Sequence, residues 1–345
     1  MRSIPPLFPS FAIRTAKENI DKNLYFFNFG RTAFKFLANY LNEKFNKKIV
    51  FLIPAYTCPS ILISLEELKI NLDFVDLDNN LDFKLDDLNN NIAKYSEYKV
   101  AIVATSLFGI RCRDYKKLYP NHIVIEDKSQ SNYSDYINSD FQIYSFGKGK
   151  FISSWNGGAL RCKEFNPEIE KAYSITEVKD DFLYSYFLSI LQLIFSKYFY
   201  FFIRLLRFEN LILKQPINNY KTPHIFRISD RKIYWILNSI KKFKMNSSIR
   251  RNSIYYDENI KKELKFNISF DCQLLRYPVK CRTDRTLIFN NIDYWTTYNS
   301  AVKKRSLDFD VPFMLLTECT FLPTHDLVKP MTIKSLTRII NEKSL

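Results

Sequence analysis

The first half of the chain alternates short apolar runs with segments of helical periodicity. The runs are typical of buried strands and several are rich in β-branched residues, while one face of the segment 31–45 carries Phe34, Leu37, Ala38 and Leu41. This alternation predicts an α/β domain with a mostly parallel central sheet flanked by helices. The predicted strands are 24–29, 49–53, 72–75, 100–105, 123–125, 141–146 and 159–161, and the predicted helices are 31–45, 57–68 and 84–95.

Glycine is rare in this chain, with 6 residues in 345, and every glycine follows or ends a predicted strand. Residues 159–345 contain none. Glycine is required where the backbone takes a positive φ or approaches another group closely, although plain turns also use it. Ligands of parallel sheets bind at the carboxyl ends of the strands, so the glycines indicate a site there. They are Gly30, Gly109, Gly147, Gly149, Gly157 and Gly158.

The overall composition excludes several classes of protein. The chain is 46% hydrophobic and 25% charged, which excludes a disordered chain or a coiled coil. Its six cysteines form no CxxC pair, so we expect free thiols in the cytoplasm. The first residues contain no apolar stretch, so we expect no secretory signal. The three histidines are too dispersed to predict a metal site.

The net charge of +15 favours anionic partners such as nucleotides or phosphates. It also permits nucleic acid, but no recognition motif supports that partner, and we expect none.

Three strand-end segments carry the residues from which chemistry is expected. Phe29-Gly30-Arg31-Thr32 is a strand-to-helix junction whose free N–H groups and hydroxyl suit an anion. Residues 123–130 form a buried-type strand that ends in Glu126 and Asp127. Residues 144–150 supply a hydroxyl, glycines and Lys150. An anion cradle, a carboxylate and an amine are the parts that a pyridoxal phosphate (PLP) site needs, for the phosphate, the ring nitrogen and the aldehyde.

The order and spacing of these segments resemble the PLP-dependent sugar aminotransferases of the DegT/DnrJ family. The resemblance is strongest over 29–160 and diffuse over 165–225. It implies a fold-type I PLP-dependent transferase, with a large domain and a smaller α+β C-terminal domain. The matching segments are 29–33 (FGRTA), 53–59 (IPAYTCP), 107–109 (LFG), 126–130 (EDKSQ), 145–150 (SFGKGK), 157–159 (GGA), 227–230 (RISD), 276–278 (RYP) and 322–325 (LPTH).

The resemblance assigns roles to individual residues. Lys150 would bind the cofactor aldehyde and then move the substrate proton, and Lys148 is a rival two residues short of the usual spacing. Asp127 would pair with the ring nitrogen and Gln130 would lie near the ring hydroxyl. The phosphate would be held by Ser145, Thr32 and the backbone of Gly30 and Arg31. Alternatively, Thr32 is an ordinary N-cap and Arg31 a surface residue. The ring-stacking position aligns with Cys58, with Tyr56 two residues earlier.

Two departures from the family pattern bear on activity. Lys128 occupies the place of a small residue. The family asparagine that reaches the partner subunit's cofactor phosphate is replaced by Ile225.

The second half is less informative. We predict a large domain over 1–180, an apolar helical connector over 181–225 and a small α+β domain over 226–345. The apolar stretch 182–208 is interrupted by three basic residues, and we expect it in the core or between subunits of a homodimer. Peripheral membrane contact is the alternative, with those basic residues at lipid headgroups. A single long helix over 230–262 should have a solvated basic face. The basic residues of the stretch are Lys197, Arg204 and Arg207.

The expected function is therefore a cytoplasmic PLP-dependent aminotransferase. It would move an amino group from an amino-acid donor such as glutamate to a keto group of a nucleotide-linked sugar, for surface polysaccharide synthesis. Dehydratase relatives carry His at the lysine position, and Lys150 argues against that activity. The alternative is a catalytically silent PLP-fold protein with a binding or regulatory role in polysaccharide assembly.

Overall fold

The computed structural model describes residues 21–133, 137–147, 150–198, 223–243, 248–268, 273–281, 308–324 and 330–342. Its strands are β1 (Leu24–Phe27), β2 (Ile49–Pro54), β3 (Asn71–Val75), β4 (Lys99–Thr105), β5 (Ile123–Asp127), β6 (Phe141–Ser145), β7 (Gly158–Cys162), β8 (Val178–Lys179), β9 (Arg227–Ile228), β10 (Arg276–Val279) and β11 (Thr320–Pro323). Its α-helices are α1 (Gly30–Lys44), α2 (Pro59–Glu67), α3 (Leu85–Lys94), α4 (Tyr115–Leu118), α5 (Pro167–Ser174), α6 (Phe182–Tyr198), α7 (Asp230–Phe243), α8 (Ser248–Asn259), α9 (Asp310–Thr317) and α10 (Pro330–Glu342). Two 3-10 turns cover Leu107–Gly109 and Lys262–Leu264.

One large sheet of nine strands organises the molecule, in the order β3-β2-β4-β5-β6-β7-β1-β9-β8. Strands β3, β2, β4, β5 and β6 are parallel, and β7 runs antiparallel between β6 and β1. The carboxyl ends of β5 and β6 therefore lie side by side. The predicted mostly parallel sheet with flanking helices is confirmed, and every strand predicted in the first half is present with its ends shifted by only a few residues.

The helices pack on the sheet through the faces that the periodicity predicts. Phe34, Leu37, Ala38 and Leu41 on α1 are all buried. The whole of β2 is also buried, as expected for a central strand covered on both faces. Burying each large apolar side chain contributes about 1.5–3 kcal/mol, so the face of α1 fixes its position on the sheet. The helix begins at Gly30, which places its N-terminus at the edge where β5 and β6 end.

The C-terminal part forms a smaller unit around the antiparallel pair β10–β11, with α8, α9 and α10. This part joins the large sheet closely, because Leu275 N donates to Phe108 O at 2.7 Å. Strand β9 belongs to the segment that the sequence assigns to the small domain, yet it pairs with β1 and β8 of the large sheet.

The expectation of one helix with a solvated basic face over 230–262 holds in part, since Arg231, Lys241, Arg250 and Arg251 are exposed. The structure differs from it at two points. The structure describes two helices there, α7 and α8, separated by 244–247, which lie outside the described residues. In addition, Lys232 on α7 has no solvent exposure at all. Periodicity alone does not show that the Lys232 ammonium has hydrogen-bond acceptors, Asp181 and Asn156, on the buried side of its helix.

The apolar stretch 182–208 is described as far as Tyr198, and 199–222 lie outside the described residues. Burial in the core does not hold for the first turns of α6, where Leu183, Tyr184 and Phe187 are 71%, 65% and 57% exposed. No helix within the described ranges combines the length and the apolar character needed to cross a bilayer.

Candidate active site

The end of β6 and the start of α1 are in direct contact, and two glycines make the contact possible. A Cβ on Gly30 would lie 2.8 Å from the Cβ of Ser145, and a Cβ on Gly158 would lie 2.3 Å from the backbone N of Gly30. Only glycine permits this approach of backbone to backbone. The contact brings the Ser145 hydroxyl to the N-terminus of α1.

A pocket of about 170 Å³ opens at this junction. Seven of the nine residues predicted for the site line it, and they come from β1–α1, α2, β5, β6 and the loop after β6. The lining residues are Phe29, Gly30, Arg31, Phe34, Cys58, Ser60, Ile61, Asp127, Ser129, Gln130, Ile143, Ser145 and Lys150. The sheet thus brings together segments that lie more than a hundred residues apart in the sequence.

The end of β5 holds two polar side chains in fixed positions. Asp127 is 5% exposed, and its Oδ1 accepts a hydrogen bond from Ser129 N at 2.9 Å. Gln130 is 4% exposed, and its Oε1 accepts from Phe108 N at 2.9 Å. A carboxylate and an amide are therefore presented to the pocket with their orientations set by the backbone.

Lys128 and Glu126 pair with each other and do not line this pocket. Their side chains are buried, with Nζ 3.6 Å from Glu126 Oε1. Gln142 Nε2 donates to Glu126 Oε2 at 2.9 Å. Successive side chains of a strand point to opposite faces of the sheet. The Asp127 carboxylate therefore lines the pocket, while the Glu126 carboxylate pairs with Lys128. Lys128 in place of a small residue is thus accommodated by a buried ion pair.

Lys150 carries the amine of the pocket. Burial lowers its pKa, because the charged ammonium loses hydration. The charges of Cys58 and Asp127 oppose this shift, whereas the Arg276 guanidinium adds to it. A lowered pKa increases the fraction of neutral amine near pH 7, and the neutral amine is the nucleophile.

Arg31 lies in the first turn of α1 and lines the pocket rather than the general surface. Its guanidinium stacks over the Phe29 ring at 4.8 Å from the centroid. The N-terminus of a helix of 15 residues presents free N–H groups and a positive dipole end. This end of the pocket is therefore suited to an anion.

Two residues predicted for the site do not line the pocket. Thr32 is fully buried, and its hydroxyl lies 2.8 Å from Asn28 Oδ1 and accepts from Phe29 N at 3.1 Å. The N-cap of α1 is Phe29 and Thr32 is the third residue of the helix, so the N-cap alternative is wrong. The Thr32 hydroxyl binds back to the start of the helix and does not line the pocket. Tyr56 is also fully buried, with its ring 6.2 Å from that of Phe108. Between Tyr56 and Cys58, only Cys58 reaches the pocket.

Several pocket residues were not singled out from the sequence. Ser60 follows Pro59 in the first turn of α2, and Ser129 lies between the two predicted residues Asp127 and Gln130. Their neighbours in the sequence could have indicated both. Arg276 is 2% exposed and acts electrostatically on Lys150, although it lies in the C-terminal part. Among the residues that the structure describes, no cluster of His, Cys, Asp and Glu is suited to a metal ion.

The position of the segment that leads into β10 depends on Gly109. Its φ is +93°, and a Cβ there would lie 2.5 Å from Gln273 O. The LFG segment therefore takes a backbone conformation that only glycine adopts easily and lets the 273–276 segment approach the site.

No family model matches the sequence, and no curated protein matches it. Solved structures do match in fold. The Streptococcus pneumoniae protein Spr1654 in its PMP form, assigned as a sugar aminotransferase, aligns with a TM-score of 0.68 at 12% identity, covering 100% of this chain and 97% of that chain. Helicobacter pylori PseC, an aminotransferase of pseudoaminic acid biosynthesis, aligns at 0.67 with 13% identity, covering 99% and 98%.

A structure of different activity aligns as well. The Escherichia coli GDP-4-keto-6-deoxy-D-mannose-3-dehydratase with bound hydrated PLP has a TM-score of 0.64 at 14% identity, covering 92% of this chain and 87% of that chain. One architecture therefore carries both aminotransferases and a dehydratase among these neighbours. The chain has the fold-type I architecture of the PLP-dependent sugar aminotransferases.

Proposed function

We propose that this protein is a PLP-dependent aminotransferase that acts on a keto group of a nucleotide-linked sugar. One observation carries the proposal: a partly buried lysine of lowered pKa shares a pocket with an oriented carboxylate and with a helix N-terminus. The likeness to the sugar aminotransferases supports it.

The residues present fit the cofactor. Lys150 offers an amine, Asp127 a carboxylate held by Ser129 N, and the start of α1 an anion site with the Ser145 hydroxyl beside it. When bound, PLP supplies an electron sink that stabilises negative charge on the substrate carbon. Asp127 would hold the proton of the ring nitrogen by its negative charge. The Cys58 side chain would contact the ring where the family has an aromatic residue.

Lys150 has two tasks. Its neutral amine would hold the cofactor at the aldehyde carbon. The same Nζ, when not attached to the cofactor, would take a proton from one carbon and return it to another as a general base and acid. The lowered pKa suits both tasks, because the amine must be unprotonated when it attacks and when it accepts the proton.

Three further features of the proposal concern partners and context. Arg31 and Arg276 are cations near the pocket and suit the carboxylate of a glutamate donor and the phosphates of a nucleotide-linked substrate. The neighbour PseC belongs to pseudoaminic acid biosynthesis, which supports a role in making glycan sugars, and we propose surface polysaccharide as the product. We also propose a cytoplasmic homodimer, in line with the free cysteines of the described residues.

The test is the visible spectrum of the purified protein with PLP, before and after glutamate. We expect bound PLP to be converted to the PMP form by glutamate, and the PLP form to return when a nucleotide-linked keto sugar is added. Covalently attached PLP that no amino acid converts would contradict transamination and favour the catalytically silent alternative.

A further inference from the structure

The loop that carries Lys150 connects β6 to β7, and its described residues form no helix or strand. Its described backbone hydrogen bonds include Ser154 N to Phe146 O and Phe146 N to Gly157 O, each at 2.8 Å, which close the base of the loop. Lys150 N reaches Gly147 O at 3.4 Å. Trp155 has a φ of +70°, a strained conformation for a residue with a bulky side chain. Backbone bonds therefore fix the base of the loop, and side-chain contacts add to them.

A buried polar cluster holds the far side of this loop, and we call it the Lys232 cluster (Lys232, Asp181, Asn156 and Ser185). Lys232 Nζ donates to Asp181 Oδ1 at 2.7 Å, to Ser185 Oγ at 2.9 Å and to Asn156 Oδ1. Asn156 Nδ2 in turn donates to Asp181 Oδ2 at 2.7 Å. The cluster joins the loop to the start of α6 and to the first turn of α7.

The ammonium of Lys232 is completely enclosed, and its three donors have three acceptors. Burial lowers the pKa of Lys232, and the Asp181 carboxylate opposes that shift. A buried charge of this kind is stable only while its partners stay in place. The Lys232 ammonium is shielded from water, so it cannot exchange Asn156 for a water molecule. It therefore holds the Asn156 side chain in place.

Helix α7 also supports the loop through apolar contacts. Ile152 packs in a cluster with Ile233 and Ile236, and the Phe151 ring lies 5.5 Å from the Phe243 ring. A Cβ on Gly157 would be 3.3 Å from Ile236 Cδ1. The loop thus rests on one face of α7, and Lys232 fixes it at the end where the chain turns into β7.

We propose that Lys232 is a positioning residue for Lys150: through Asn156 and Asp181 it fixes the loop that holds the Lys150 amine beside Asp127. Lys232 does not line the pocket, so it acts through the loop and not on the substrate. The inference rests on the proposed function in one point only, namely that the group which Lys150 binds is the aldehyde of PLP.

The test compares three variants with the wild-type protein. Lys232→Met removes the cation, and Asn156→Ala removes only the loop's side of the cluster and leaves the ion pair with Asp181. Lys241→Met is the matched control, since Lys241 is an exposed lysine on the same helix. The first readout is the rate at which PLP becomes trapped on Lys150 by borohydride, measured on the Lys150 peptide by mass spectrometry.

The second readout needs no cofactor. Competitive acylation of the apoprotein across pH gives the midpoint at which the Lys150 amine becomes reactive. Three charged or titratable groups act on this amine, namely Cys58, Asp127 and Arg276. We expect the wild-type midpoint to lie below the ordinary value of 10.5. In Lys232→Met and Asn156→Ala a released loop should return the midpoint toward 10.5 and slow PLP attachment by about tenfold or more. Lys241→Met should match the wild type.

The outcomes separate the two proposals. If PLP attaches to no lysine of the wild-type protein, the proposed function fails, while the acylation midpoints still decide the role of Lys232. Lys232→Met leaves the Asp181 carboxylate without its cation, a change that can destabilise the fold by itself, so folded Asn156→Ala is the decisive variant. A wild-type midpoint and a wild-type rate of PLP attachment in Asn156→Ala would overturn the positioning role. A lower melting temperature with both readouts unchanged would also overturn it, because the cluster would then serve stability only.

Discussion

At the scale of single residues, Lys150 is the group on which the proposed chemistry depends. Lys150→Ala should abolish borohydride-trapped PLP, because no other described residue that lines the pocket carries an amine. Lys148→Ala should retain trapped PLP and serves as the control. In the wild-type protein the attachment rate should rise with pH and level off below 10.5, because burial lowers the pKa of the amine that must lose its proton. Trapped PLP on Lys148 would contradict the assignment.

Asp127 supplies the negative charge of the same pocket. Asp127→Asn keeps the shape of the side chain and its oxygen for Ser129 N, but removes the charge that would keep the cofactor ring protonated. We expect PLP still to attach, while conversion by glutamate slows by about a hundredfold or more. Stopped-flow absorbance of the half-reaction measures this. Turnover near the wild-type rate would show that Asp127 has a structural role only.

Cys58 allows the occupancy of the pocket to be followed by thiol chemistry. It is partly exposed in the pocket, whereas burial raises the pKa of Cys162 and of Cys319 to about 12. At pH 8 iodoacetamide should therefore modify Cys58 and leave the other two intact, since the thiolate is the reactive form. Bound PLP should protect Cys58. Peptide mass spectrometry checks this, and modification of Cys58 at the same rate with and without PLP would place the cofactor elsewhere.

The sequence predicts the pocket residues that belong to strand ends and misses those that depend on distant contacts. Asp127 and Lys150 follow predicted strands, so the common edge of the sheet brings them together. The Thr32 hydroxyl has two possible directions, and only the fold shows that it turns back to Asn28. Arg276 reaches the site from another unit: the resemblance includes the segment 276–278 but assigns Arg276 no role, and no local pattern indicates the approach.

At the scale of secondary structure elements, the contact between β1–α1 and β6–β7 depends on glycine. A Cβ on Gly158 would lie 2.3–2.4 Å from backbone atoms of Phe29 and Gly30, which cannot move without displacing α1. Gly158→Ala should therefore lower the free energy of unfolding by about 3 kcal/mol, at the upper end of overpacking costs. Gly147→Ala is the matched control, because its Cβ would be 3.7 Å from Ser145 Oγ. Urea unfolding measures both, and equal stabilities would contradict the close contact.

The sequence predicts correctly which face of a helix is buried when that face is apolar. It fails when a polar or charged side chain is buried. The periodicity of α1 predicts its buried face correctly, because its apolar residues lie on one side of the helix and that side packs on the sheet. On α7 the same reasoning places Lys232 in solvent. Its actual burial depends on Asp181 and Asn156, which lie far away in the sequence and whose pairing no periodicity encodes.

At the scale of the whole molecule, the first turns of α6 expose large apolar side chains and bury two serines, although the ring of Phe182 is buried as well. Ser185 and Ser189 are completely buried, while the three large side chains Leu183, Tyr184 and Phe187 are each more than half exposed. Soluble helices normally bury the apolar face. A face of this kind is typical of a surface that another molecule covers. We expect a second copy of this chain to cover it, as part of the homodimer proposed above.

Charge substitutions on this face should separate the homodimer from membrane attachment. Leu183→Asp with Phe187→Asp should convert a dimer to a monomer, because burying two such side chains contributes about 1.5–3 kcal/mol each and a buried carboxylate is costly. Met331→Asp is the control, since Met331 is 83% exposed on α10. Analytical ultracentrifugation at low and high salt gives the mass. An apolar dimer should persist at high salt, whereas attraction to anionic vesicles weakens as salt screens it. A wild-type monomer that binds anionic vesicles at low salt and is released at high salt would contradict the dimer and establish the membrane as the partner of α6.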